Sequence, residues 1–180
     1  MAAGKDIAGT SLGKDIEAAI EDWTTASPRQ TNRDEFEKLV DAAPDSTIPL
    51  YRGLTARDNG RAGAMKLVRQ LKESKPGDSV ETSILASWSE SELIARRFTS
   101  ESSLSDAARA RDGKNAAEGV LIVAEPGIKA LPIGGYVSYD TQDAYGDMKE
   151  SVAPPSVYTV VSNEPHPDVQ NLRVITVRRG

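Results

Sequence analysis

Apolar residues recur along this chain with two different periods, and the change from one to the other sets the order of the elements. Ile16, Ala19, Ile20 and Trp23 fall at helical spacing and predict an amphipathic helix over residues 13–26. The segment SPRQT ends it. A second helix is expected to open at Asn32, an N-cap with Glu35 three residues on in a capping-box pattern, and to turn Phe36, Leu39 and Val40 inward. Residues 48–55, IPLYRGLT, are apolar but for one arginine and read as a short strand, which Pro49 places near an edge or at a strand start. Helical spacing returns over residues 60–75, with Met65, Val68 and Leu71 facing in.

Further on, PGDSV is a turn into a strand, ILASWS (84–89) is the next strand, and SELIARRFTS is a helix whose apolar residues are Leu93, Ile94, Ala95 and Phe98. Residues 100–118 are polar and alanine-rich and read as an irregular insertion. GVLIVAEP (119–126) is a strand buried on both faces, IKALPI a short one, and residues 134–150 a long loop rich in Gly, Asp and Tyr. ESVAPPSVYTVVSNE and NLRVITVRR are two final strands. Helices come first and strands dominate afterwards. The expected fold class is α+β, with N-terminal helices packed on a mixed, mostly antiparallel sheet. Residues 1–12 are expected to be a flexible N-terminus and residues 13–180 a single domain.

Composition narrows the chemistry. The 180 residues are 38% hydrophobic, enough for a real core. A net charge of −5 argues against general attraction to nucleic acid or to an anionic membrane. Cysteine is absent, which removes disulfides, thiol catalysis and Cys-based metal sites together. The single histidine, His166, sits between two prolines and reads as a solvated loop residue, so triads and zinc sites built on histidine are disfavoured. No apolar run is long enough to span a membrane, and the N-terminus lacks an apolar signal core. The expected location is cytoplasmic, or a host cell reached through phage or secretion machinery.

Three places carry candidate chemistry. Arg52 interrupts an apolar strand and is followed by Gly53, where the missing side chain lets something approach the backbone; an arginine so placed calls for an anion or an internal carboxylate. Ser87 and Ser89 are two apart, so in a strand both hydroxyls share a face with Trp88 in the core behind. Ser89 precedes Glu92 by three and reads as a helix cap, while Ser87 faces a cleft. Glu150 begins a strand directly after the long loop and is either a cleft carboxylate or an ordinary exposed one.

The order LYRG (50–53), SWS with SELIARRF (87–98) and KESVAPPSVYTVV (149–161) resembles the Arg–Ser–Glu class of mono-ADP-ribosyltransferases, the cholera-toxin-like branch that includes C3-like, phage and vertebrate enzymes. The resemblance spans roughly residues 15–180. Ala95 and Phe98 match its helix, with Phe98 packing rather than touching ligand, and Pro154, Pro155, Tyr158 and Val160 match the segment after its glutamate. It implies a central NAD cleft, with Arg52, Ser87 and Glu150 catalytic, and with Arg52, Gly53, Ser87, Trp88, Ser89 and Tyr136 around NAD. It places Tyr139, Tyr145, Asp147 and Met148 on an acceptor loop. NAD is the substrate and no metal is needed. The family usually carries Glu or Gln two residues before the catalytic Glu; here Met148 stands there and Asp147 lies one residue out of register, so modification of arginine does not carry over. The function implied is transfer of ADP-ribose from NAD to a macromolecular acceptor, protein ahead of nucleic acid, by a monomeric phage or bacterial effector with no membrane role. The alternatives are an NAD glycohydrolase without a specific acceptor, and a catalytically degenerate structural or binding protein such as a phage-particle component.

Overall fold

The structure, a computed structural model, describes residues 33–54, 62–82, 85–99, 119–133, 149–169 and 172–180. The expected helix at 13–26, the cap Asn32, the side chains of Glu35 and Met65, the insertion at 100–118 and the loop at 134–148 lie outside the described residues. The elements run α1 (Arg33–Asp41), β1 (Leu50–Leu54), α2 (Ala62–Glu73), β2 (Ser79–Thr82), β3 (Ala86–Ser89), α3 (Glu92–Arg96) with a 3-10 turn (Arg97–Thr99), β4 (Val120–Ala124), β5 (Leu131–Pro132), β6 (Glu150–Ala153), β7 (Ser156–Pro165) and β8 (Arg173–Arg179). The strands lie in the order β2-β7-β8-β4-β1-β3-β6-β5. Only β4 and β8 pair in parallel; the other neighbours are antiparallel. The fold is α+β with a mixed, mostly antiparallel sheet.

The apolar run of β4 follows from its place between β1 and β8. Val120, Ile122 and Ala124 join one core cluster with Val68 and Leu71 of α2, while Leu121 packs on the other side with Ala95 of α3 and Leu172. Phe36 and Val40 of α1 form a third cluster with Leu131, Ile133 and Val152. Each large side chain buried this way stabilises the fold by about 1.5–3 kcal/mol. The C-terminal carbonyls of α2 are met by a single side chain from β7. Asn163 Nδ2 lies 3.2, 3.1 and 2.9 Å from the carbonyl oxygens of Leu71, Lys72 and Ser74, and its Oδ1 accepts from Arg173 Nε at 2.9 Å.

Three sequence expectations change, and a fourth, for Pro49, holds in one of its two alternatives. The segment expected as one strand from Glu150 is two: Pro154 and Pro155 supply no N–H to a ladder, so β6 ends before them and joins β3 and β5, while β7 joins β2 and β8. Pro49 marks a strand start and not an edge, because β1 is flanked on both sides by β4 and β3. Of IKALPI only Leu131 and Pro132 form strand. Of the apolar residues of α3 and its 3-10 turn, Ala95 is buried, whereas Leu93 is 68% exposed and Phe98, expected to pack, is 42% exposed. The short helix offers the sheet only the width of its Ala95 turn.

The sheet is unevenly stitched. β1 pairs with β4 over Leu50–Leu54, but with β3 only at Tyr51↔Ser89. Five strands (β2, β7, β8, β4, β1) and three (β3, β6, β5) therefore meet along a seam with one ladder rung among the described residues, backed by the core that Trp88 shares with Leu50 and Tyr158. On one bank α3 packs directly onto Gly53: a Cβ there would stand 1.9 Å from the Ala95 carbonyl oxygen and 3.1 Å from Thr99 Cγ2. None of the described helices is long and apolar enough to cross a membrane. We predict that Gly53→Ala, which must push α3 off β1, lowers unfolding free energy by about 3 kcal/mol, the upper end for overpacking, read as an earlier urea midpoint at unchanged slope.

Candidate active site

Adjacent antiparallel strands bring two of the candidate residues together. β3 and β6 pair in the register Ala86↔Ala153, Ser87↔Val152, Trp88↔Ser151 and Ser89↔Glu150. Ser87 and Glu150 are thus diagonal neighbours on one face, within reach of each other's side chains. The Ser87 hydroxyl donates to Glu150 Oε1. Ser87 is exposed and Glu150 half-buried, so the pair stands at the surface of the sheet and not inside it.

Trp88 alternates to the opposite face. It is 3% exposed and packs against Tyr158 with ring centroids 5.9 Å apart. Its Nε1–H has no acceptor among the described residues. Ser89 is buried too, so neither residue offers NAD an accessible surface. Ser89 also does not cap α3. It is still strand, and its Oγ accepts from the Ser91 N–H at 3.0 Å. The N-cap is Ser91, whose Oγ accepts from Ile94 N–H at 3.4 Å. Glu92, which the capping-box reading turned back towards Ser89, instead reaches His166, with Oε1 at 3.1 Å from Nε2.

His166 is therefore no solvated loop residue. It is buried, and its Nδ1 accepts two backbone N–H bonds, from Asp168 and Val169, both at 3.0 Å. With Nδ1 acting as acceptor, Nε2 carries the hydrogen and donates to Glu92. The β7–β8 connection is in this way tied to the first turn of α3.

Arg52 lies apart from the Ser87–Glu150 pair. Along β1 it alternates with Tyr51, the residue registered with Ser89, and so faces the Trp88 side of the sheet. With Trp88, Tyr158, Thr82, Leu67 and Leu71 it lines a cavity of about 10 Å³, near the size of one water. Among the described residues no hydrogen bond or ion pair engages its guanidinium. Burial holds that guanidinium below the ordinary arginine value, with Tyr158 acting in the opposite direction. Burial in turn raises Tyr158, a shift offset in part by Ser156, Arg52 and Thr82. At Gly53 the close approach is made by α3, not by open space for a ligand. Tyr136, Tyr139, Tyr145, Asp147 and Met148 fall outside the described residues.

Sequence reasoning missed three participants. The Glu92–His166 tie joins residues 74 apart and leaves no local trace. Tyr158 was named only for its spacing after Glu150; its place beside Arg52 and Trp88 was missed, though aromatics are only 5% of the chain. Lys149, just before Glu150, has φ of 45°, for which a lysine gives no signal.

No protein-family model matches the sequence, and no curated protein matches it. The solved structures define the class: the fold is that of the mono-ADP-ribosyltransferases, both C3-like and Vis-type. A C3 ADP-ribosyltransferase from Clostridium botulinum superposes with a TM-score of 0.56 at 14% identity, covering 98% of this chain and 90% of that one. A C3 protein from S. aureus, solved with NAD, gives 0.52 at 18% identity over 98% and 94%. The Vis toxin, an ADP-ribosyltransferase from Vibrio splendidus, gives 0.51 at 15% over 100% and 74%.

The raised Tyr158 fixes the sign of an alkaline effect. A folded value above the unfolded one, near 10, means that the unfolded chain loses this proton first. The stabilisation is complete below about pH 10 and is lost as pH rises through the folded value. We expect the unfolding free energy of the wild type, relative to Tyr158→Phe, to be constant from pH 7 to 9 and to fall above about pH 10, measured by urea titration.

Proposed function

We propose that the protein is an NAD-dependent mono-ADP-ribosyltransferase with Glu150 and Ser87 at the reacting ribose. The observation that carries this is the Ser87–Glu150 hydrogen bond between β3 and β6, in a chain with the fold of these enzymes. Cleavage of the nicotinamide–ribose bond sends the bonding electrons out with nicotinamide and leaves an oxocarbenium-like ribosyl cation. The Glu150 carboxylate accepts a hydrogen bond from the ribose 2′-hydroxyl and faces that cation, so it stabilises the transition state more than the ground state. Ser87, donating to Oε1, orients the carboxylate.

Arg52 lies across the seam between β1 and β3 from the Ser87–Glu150 pair and faces the Trp88 side of the sheet. A partly accessible guanidinium with no acid partner among the described residues suits a diphosphate, which supplies the missing counter-charge and a bidentate acceptor. That the S. aureus C3 protein was solved with NAD, and exoenzyme S of Pseudomonas aeruginosa with carba-NAD, supports a dinucleotide as the occupant of such a fold. The acceptor is a macromolecule, protein ahead of nucleic acid given the net charge of −5. A structure of Vis holds agmatine, a guanidino compound. Met148, in place of the Glu or Gln two residues before Glu150, leaves arginine outside this reading, and it favours NAD hydrolysis as the second one. The reading takes residues 13–180 as one catalytic domain acting as a monomer.

The test incubates wild type and Glu150→Gln with nicotinamide-labelled and adenylate-labelled NAD and a bacterial lysate. Nicotinamide release by the wild type and its fall by about a hundredfold or more in the variant, some 2–4 kcal/mol of barrier, is the expected result. Adenylate label on protein marks transfer, and release without label marks hydrolysis. A wild type that releases no nicotinamide with lysate present overturns the reading and leaves a binding or structural role.

A further inference from the structure

Lys149 holds a backbone conformation that lysine rarely adopts. Its φ of 45° is the one positive value at a non-glycine position among the described residues. In this region the Cβ crowds the residue's own carbonyl, and such residues persist where their surroundings over-determine them. Two hydrogen bonds do so here. The Glu90 N–H, in the turn directly after Ser87-Trp88-Ser89, donates to the Lys149 carbonyl at 3.1 Å. On the opposite edge of β6, the Ile133 N–H donates to the Glu150 carbonyl at 2.9 Å. Both carbonyls that flank the Glu150 Cα are therefore tied, each to a different neighbour.

Fixing those two peptide planes fixes the direction of the Glu150 Cα–Cβ bond, and that direction delivers the carboxylate to the Ser87 hydroxyl. An extended Lys149 would prolong β6 past Ser89↔Glu150. The left-handed one ends the strand at Glu150 while keeping its carbonyl on Glu90. We propose that the Lys149 backbone, and not its side chain, is the device that positions Glu150 for cleavage of the nicotinamide–ribose bond. The inference rests on the function proposed above and adds a positioning residue to it.

Residue types that differ in their tolerance of a left-handed backbone separate this role from a side-chain role. Lys149→Gly and Lys149→Asn accept the conformation, Lys149→Ala removes the side chain but keeps Cβ, and Lys149→Val is β-branched and resists it. Steady-state nicotinamide release is measured for each with NAD varied, beside a thermal melt. We expect kcat of the Gly, Asn and Ala variants to stay within about threefold of wild type. We expect kcat of the Val variant to fall about ten- to a hundredfold, the rate equivalent of the usual strain at such a site, with KM for NAD nearly unchanged. The melting order should be Gly above wild type above Val. Should the Val variant fail to fold, Lys149→Thr takes its place as the milder β-branched residue. A folded Val or Thr variant with wild-type kcat overturns the inference, as does a Gly variant as impaired as Val, which would assign the effect to the side chain. A wild type inert towards NAD overturns the functional reading, and the positioning role with it; the melting order then still reports the backbone strain by itself. An active wild type with a fully active Val variant overturns the positioning role alone.

Discussion

The contact of α3 with Gly53 is the constraint on which the site depends. At Gly53 the helix backbone comes as close to the strand as an absent side chain permits. That seats α3 on β1, which fixes the Ser91 cap and the Glu90 turn ahead of it. The turn presents the N–H that holds the Lys149 carbonyl, and Glu150 follows. The far side of α3 is fixed by Glu92 reaching buried His166. Each hydrogen bond in this series contributes only about 1 kcal/mol. The steric exclusion at Gly53 is larger than any of them, so it sets the geometry and the hydrogen bonds select the details.

What could be read from the sequence depended on the range of the interaction that decides each feature. The apolar faces of α1 and α2, at Phe36, Val40, Val68 and Leu71, and the doubly buried β4 were legible because periodicity is local. So was the α+β class. The cap was misread because Ser89 and Ser91 both precede a plausible helix start. What separates them is that Ser89 is paired to Glu150 and Tyr51, strands far off in the sequence. His166 was misread for the same reason, its partner lying on another element. In the candidate site, alternation separated Ser87 from Trp88 as expected, but the meeting of Ser87 with Glu150 depended on the β3–β6 register, which is not local. The separation of Arg52 onto the Trp88 face depended on the Tyr51↔Ser89 rung, which no local pattern encodes.

The Arg52 neighbourhood is poor in stabilisation. The half-buried guanidinium has no acid partner among the described residues, and the buried Trp88 N–H, with no acceptor among them, opposes folding. An unfulfilled indole donor of this kind costs about 1–3 kcal/mol. Both groups border one small cavity beside Tyr158. Stability alone would place apolar atoms or a carboxylate there. On the proposed function, the acceptor for the Arg52 guanidinium is the one the substrate brings.

The strand register also makes most pairings in the sheet long-range in sequence. Neighbours in the sheet are remote in the chain: Arg52 lies opposite Ile122, Val80 opposite Tyr158, and Ser87 opposite Val152. Of the longer ladders, only β7 with β8 joins strands consecutive in sequence. A topology so rich in distant pairings folds slowly, because long loops must close before their contacts return any free energy. Ser87 and Glu150, 63 residues apart, meet only after β3 and β6 have found each other. The hydrogen bond between them thus requires a 63-residue span of chain to close, and the carboxylate site exists only where β3 and β6 are paired.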